Sequence, residues 1–187
     1  MKSLAFSCAF VSLNVLSLCL AVQGQTHRAP IRQLPPKQIS AKAVTNCLGS
    51  GLTDAEVADL LAGHNKQRQK VNAPPLRWDC TLGATAAAWA KHGTPGHSGT
   101  DFGENIFVAS DPSEKVSKAV DQWEDEEHHW NNKTGTCDSG KVCTHYTQLV
   151  WRYTTKIGCA VNRNMSGKWK LMLVCNYDPE GRTGPAY

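Results

Sequence analysis

The apolar positions along this chain change their spacing several times, and each change marks a segment. Leu4 to Val22 is a run interrupted only by Ser and Asn, with Lys2 ahead of it and the small Gly24 behind. A positive end, an apolar middle and a small residue predict a secretory signal peptide over residues 1–24, cleaved near Gly24. A membrane anchor is the rival reading, since the run approaches spanning length. The short charged flank and the small-residue end favour the signal. Residues 25–46 then carry few large apolar side chains, several prolines, and Arg28, Arg32, Lys37 and Lys42 with no acid to answer them. Such a stretch buries too little to form a core and predicts a flexible basic leader. A charge run of this kind is usually a solvated linker, with contact to a membrane or cell-wall surface as its other use.

Helical spacing begins after Leu52. Thr53 and Glu56 form a capping box, and Val57, Leu60, Leu61 and His64 follow on one face. This helix is expected to end near Val71, before Asn72-Ala-Pro-Pro. An alanine-rich stretch, Thr81 to Lys91, predicts a second helix with Leu82 and Trp89 inward, closed by Gly93 and Pro95. Asp111-Pro112-Ser113-Glu114 predicts the start of a third, with Val116, Val120, Trp123 and Trp130 as its buried stripe. The period then falls to two. Ile157–Val161 and the alternating Trp169, Leu171, Leu173 and Cys175 read as strands around a turn at 164–167, with Phe102–Val108 as a third strand. Helices on both sides of a small antiparallel sheet make the expected fold α+β, a three-layer α-β-α sandwich over residues 47–187.

The length, 187 residues, is enough for one domain with a real core after trimming. Cys8 and Cys19 leave with the signal, and Cys47, Cys80, Cys137, Cys143, Cys159 and Cys175 remain. An even number in a secreted chain predicts a disulfide framework, with the pairing left open by composition. No CxxC spacing occurs, which argues against a structural zinc cluster. Asn132-Lys-Thr and Asn164-Met-Ser are glycosylation sequons. The formal net charge is +4, or +3 after subtracting the single charge of Lys2. It is too small and too dispersed for a nucleic-acid partner. Nothing points to an oligomer interface, and a monomer is expected.

Four segments carry a family resemblance. They are His64-Asn65-Lys-Gln-Arg68, Gly103-Glu104-Asn105-Ile106, THYTQLVW from Thr144 to Trp151, and VCNYDP from Val174 to Pro179. In this order, and with the cysteines around them, they resemble the CAP superfamily: cysteine-rich secretory proteins, antigen 5 and plant pathogenesis-related group 1 proteins. The resemblance covers about residues 52–177. Two positions depart from the family's usual pattern: Thr144 before the histidine, and Arg182 after Gly181. The resemblance implies an extracellular protein with a cleft lined by His97, Glu104, Glu126 and His145. It also implies the disulfides Cys137–Cys143 and Cys159–Cys175, leaving Cys47 with Cys80.

Two imidazoles and two carboxylates suit a divalent metal such as zinc, or general acid–base work if their pKa values are held apart. The plainer reading is a structural network in which Glu104 holds a loop and His145 is satisfied against its neighbours. His64 and Asn65 are expected to brace the first helix. His128 and His129 are expected to be solvated, although Glu126 and His129 have ligand-like spacing. A di-iron site would need a second Glu-x-x-His. Neither HExxH nor GxSxG occurs, and Ser110 reads as a helix-start residue rather than a nucleophile.

Three functions are implied by the resemblance. The first is non-enzymatic binding of a sterol or fatty acid, with no cofactor required. The loop Trp130–Cys143 would be the sterol site, or a groove between helices would take an acyl chain. The second is a metal-dependent hydrolase, most simply a protease, for which no nucleophile is identifiable. The third is a signalling ligand that meets an extracellular receptor or releases the peptide 179–187, PEGRTGPAY. The plain alternative for that tail is a cover over the sheet edge.

Overall fold

A computed structural model describes residues 46–187, and the expected signal peptide and most of the basic leader lie outside the described residues. The first helix, α1 (Asp54–Lys70), starts at the capping box. Thr53 Oγ1 accepts from Glu56 N at 3.2 Å, and Thr53 N donates to Glu56 Oε2 at 2.8 Å. A two-residue strand, β1 (Arg77–Trp78), leads into α2 (Cys80–His92). Asp79 caps α2 by accepting from Thr81 N and Leu82 N, and Gly93 ends it with a left-handed φ of 66°.

Strands β2 (Gly103–Ala109), β5 (Lys156–Asn162) and β6 (Leu171–Asp178) form the antiparallel sheet expected from the alternating pattern. An addition not read from the sequence is β1, which pairs parallel with β5 and extends the order to β1-β5-β6-β2. The sheet is buried on both faces. Leu60, Trp123, Leu149, Ile157, Leu173 and Tyr177 belong to the core on the side of α1, α3 (Lys118–Glu124) and α4 (Thr144–Val150). Ala86, Ala90, Ala160, Met172 and Val174 pack on the α2 side. Hence β6 is buried from Leu171 to Tyr177 rather than alternating. The strand also begins at Leu171, two residues later than the pattern predicted. Contact with α2 is close at Gly158, where a Cβ would lie 2.2 Å from Gly83 N and 2.3 Å from Asp79 O.

The third helix starts later than expected. Asp111 Oδ1 accepts from Ser113 N at 2.8 Å and Ser113 Oγ at 2.7 Å, so its side chain closes a local turn instead of capping a helix. The chain passes through Val116–Ser117 as a turn and becomes helical at Lys118. Val116, Val120 and Trp123 are buried and Trp130 is half-buried. A 3-10 turn (Asp125–His129) and a small hairpin of β3 (Trp130–Asn131) and β4 (Thr136–Cys137) follow. Disulfides join Cys47–Cys80, Cys137–Cys143 and Cys159–Cys175, across separations of 33, 6 and 16 residues. Each closes a loop of the unfolded chain, which in the chain-entropy account stabilises by on the order of 2–4 kcal/mol.

Candidate functional site

The four implied cleft residues form two imidazole–carboxylate pairs. In the first, His97 comes from the loop after α2 and Glu104 from β2. His97 Nδ1 lies 3.0 Å from Glu104 Oε1, which also accepts from Ser98 N at 2.9 Å. The histidine side chain is 69% exposed while the acid is 5% exposed. Below them, Asn176 Nδ2 donates to Glu104 Oε2 at 3.4 Å. A cleft of about 470 Å3 opens beside this pair, lined also by Thr147, Gln148, Glu180 and Arg182. Gln148 reaches its floor because β2 starts with glycine: a Cβ on Gly103 would lie 2.1 Å from Gln148 Oε1.

In the second pair, His145 comes from α4 and Glu126 from the 3-10 turn. Glu126 Oε1 lies 2.6 Å from His145 Nδ1, and its Oε2 accepts from the backbone N–H of His145 at 3.0 Å and Tyr146 at 3.1 Å. The carboxylate thereby meets N–H groups in the first turn of α4. The imidazole lies nearly parallel to Trp123, at 9° with centroids 6.2 Å apart. The backbone carbonyl of His145 accepts from Asn105 Nδ2 at 3.0 Å, which ties α4 to β2. Glu126 and His145 line a separate pocket of about 200 Å3 with Ile106, Phe107, Val108 and Trp169.

The donor set therefore splits. Each imidazole spends Nδ1 on its carboxylate and keeps Nε2 for another partner, as metal-bound histidines do. Each carboxylate, however, is turned toward backbone N–H groups, and among the described residues no three His, Cys, Asp or Glu side chains are grouped to hold a metal. A zinc site needs three or four protein donors around one point. The residues as placed do not fit that requirement. Of the serines near these pairs, Ser98 Oγ bonds Thr100 Oγ1 at 3.2 Å, and Ser110 is exposed just beyond β2.

Other candidates find ordinary partners. His129 Nδ1 lies 3.2 Å from Asp138 Oδ2, away from Glu126, and His128 is exposed. Asn65 braces the chain after α1, donating to Leu76 O at 3.2 Å and accepting from Leu76 N at 2.7 Å. His64 is fully buried, with Nδ1 donating to Leu60 O at 2.7 Å and Nε2 accepting from Tyr177 OH at 2.8 Å. Burial lowers its pKa to about 4 and raises that of the Tyr177 phenol. Asn164 is exposed in the β5–β6 turn, whereas Asn132 is half-buried against the C-terminal segment.

Sequence reasoning missed Arg68, a fully buried cation that has no carboxylate partner among the described residues. It donates to the carbonyls of Pro74, Leu149, Trp151 and Thr154 at 2.7–3.1 Å. Burial lowers its pKa to about 10. Its place in the first resembling segment was the available signal. Also unread was a groove of about 650 Å3 along β2, lined by Phe107, Val108, Ala109, Trp169, Asp121 and Gln122. It shares Phe107, Val108, Gln122 and Trp169 with the His145 pocket, so the two adjoin. The loop Trp130–Cys143 is a poorer sterol site than expected. Its one large aromatic is half-buried, and Trp130 Nε1 donates to Asn132 Oδ1 at 3.3 Å.

Comparison with known proteins places this architecture. Residues 61–177 match the cysteine-rich secretory protein (CAP) family. Pathogenesis-related protein 1A1 of Solanum lycopersicum is 39% identical over 127 residues, covering 66% of this chain and 71% of that protein. A pathogenesis-related protein of the PR-1 type from Sambucus nigra is 40% identical over 128 residues, covering 66% and 75%. Among solved structures, NaASP2 with Zn2+ superposes with a TM-score of 0.62 at 25% identity, covering 76% of this chain and 90% of that one. The sandwich and these matches agree, and the chain belongs to the CAP, or cysteine-rich secretory protein, family.

Proposed function

We propose that the protein works outside the cell as a non-catalytic binding protein of the defence type, and that its ligand is a sterol seated along the free edge of β2. Three disulfides in a domain of this size suit an oxidising, extracellular setting. The relatives named for pathogenesis support a defence role. The observation that carries the lipid reading is the pair of adjoining pockets along the edge of β2, both lined by Phe107, Val108 and Trp169, the second reaching His145. Its volume, about 650 Å3 in the larger part, lies within the usual range for small-molecule sites.

The rim chooses between lipids. Asp111, Glu114, Asp121 and Asp125 surround a single cation, Lys118, which is already held by Glu114 at 2.8 Å. A fatty-acid carboxylate would meet like charge there. A sterol hydroxyl is neutral and finds polar partners in Gln122 and Glu126. In this reading no metal is required, and the zinc found with NaASP2 belongs to that protein. The test is binding of radiolabelled cholesterol and palmitate to the purified mature protein, with and without chelator. Saturable cholesterol binding that survives chelator is expected. Absence of cholesterol binding, or its loss with chelator, overturns the reading.

A further inference from the structure

Asn132 lies in the turn between β3 and β4, and its side chain is already engaged. Its Oδ1 accepts from Ala186 N at 2.7 Å and Tyr187 N at 3.3 Å, while its Nδ2 donates to Tyr187 O at 2.6 Å. One edge of the carboxamide therefore pairs with the backbone of residue 187 as a neighbouring strand would. The seat around it is built. Ala186 is fully buried, and its carbonyl accepts from Arg152 N at 2.8 Å. Tyr187 meets Tyr146 edge-on with centroids 6.5 Å apart. Gly135, in the same turn, touches the segment directly: a Cβ there would lie 2.8 Å from Gly184 Cα. Residues 184–187 thus dock on the hairpin turn and α4, while Glu180, earlier in the same tail, lies against Gly103 of the edge strand β2.

We propose that Asn132 is the latch that holds residues 184–187, and that N-glycosylation of Asn132 and docking of this segment exclude one another. Oligosaccharide transfer from a lipid diphosphate donor forms a bond from Nδ2 to the sugar's anomeric carbon. One Nδ2 hydrogen leaves as a proton, and the lipid diphosphate is the leaving group. The product is a secondary amide, which is trans. The sugar therefore takes the position on the same edge as Oδ1, and the remaining N–H points away from it. The edge lost is the edge that pairs with residue 187. A glycan placed there also has to occupy the space of a 2.6 Å contact. Asn164, exposed in its turn, meets no such obstacle. The latched state withholds residues 184–187 from proteases and receptors, and the glycosylated state presents them. This inference stands apart from the lipid reading and uses none of the β2 groove.

Hydrogen exchange of the Ala186 and Tyr187 amides tests it, on protein secreted from a glycosylating host with site occupancy read by mass spectrometry. Thr134→Ala destroys the sequon and keeps the carboxamide, while Asn132→Ala removes both. Slow exchange is expected in unglycosylated wild type and in Thr134→Ala. Exchange about 10-fold faster or more is expected in Asn132→Ala and in any molecules that carry a glycan on Asn132. Unchanged amides in β6 report that each variant is folded. Equal protection in Asn132→Ala and wild type overturns the latch. Protected Ala186 and Tyr187 amides in molecules glycosylated at Asn132 overturn the exclusion.

Discussion

The two imidazole–carboxylate pairs use the same atoms in opposite surroundings. In the His145–Glu126 pair both side chains are largely enclosed, at 28% and 16% exposure, and the carboxylate also holds two backbone N–H groups of α4. In the His97–Glu104 pair the acid is anchored in β2 while the imidazole stands 69% exposed on a loop. The contrast shows that one pairing of side chains serves two jobs here. The inner pair starts a short helix and fixes it to the sheet. The outer pair leaves one histidine free to meet whatever enters the cleft.

Substitutions that break the inner arrangement should cost far more than those in the outer one. The extreme is His64, more enclosed than either pair. Its folded pKa of about 4 lies below the unfolded value of 6.5, so between these values the unfolded chain binds the extra proton. Stability is complete above pH 6.5 and falls as pH drops toward 4, by about 3 kcal/mol in all. Urea unfolding at a series of pH values should show this slope, and His64→Gln should flatten it. Glu126→Ala leaves the His145 and Tyr146 N–H groups without their acceptor and should lower stability by about 2–3 kcal/mol in the same assay. Glu104→Gln keeps the shape and weakens charge-assisted bonds to His97 and Ser98, for about 1 kcal/mol. His97→Ala removes an exposed side chain and should change stability by less than about 0.5 kcal/mol. A His97→Ala loss as large as that of Glu126→Ala would erase the distinction.

Sequence alone made the locally determined parts legible. The Thr53–Glu56 box and Gly93 set the ends of α1 and α2 through contacts within a few residues. The third helix was misplaced because Asp111-Pro112-Ser113 can cap a helix or close a turn, and the choice rests on how Val116 and Ala119 are buried. Only seven residues long, α4 offers too little periodicity to be recognised. The full burial of β6 follows from helices on both faces, which no alternation within the strand records. For the site, the resemblance named His97, Glu104, Glu126 and His145, but not their division into two pairs that line separate pockets. Arg68 bonds carbonyls more than eighty residues away, and Asn132 meets a segment 54–55 residues on. Such partners are set by tertiary packing and leave no local trace.

The central claim is that the β2 edge, not a metal centre, binds the ligand. Its most direct test is equilibrium binding of radiolabelled cholesterol in the presence of chelator to wild type, Trp169→Ala and His97→Ala. Saturable binding is predicted for wild type, weakened about 10-fold or more by Trp169→Ala and unchanged by His97→Ala. Cholesterol binding that vanishes with chelator or with His97→Ala, yet survives Trp169→Ala, would contradict the account.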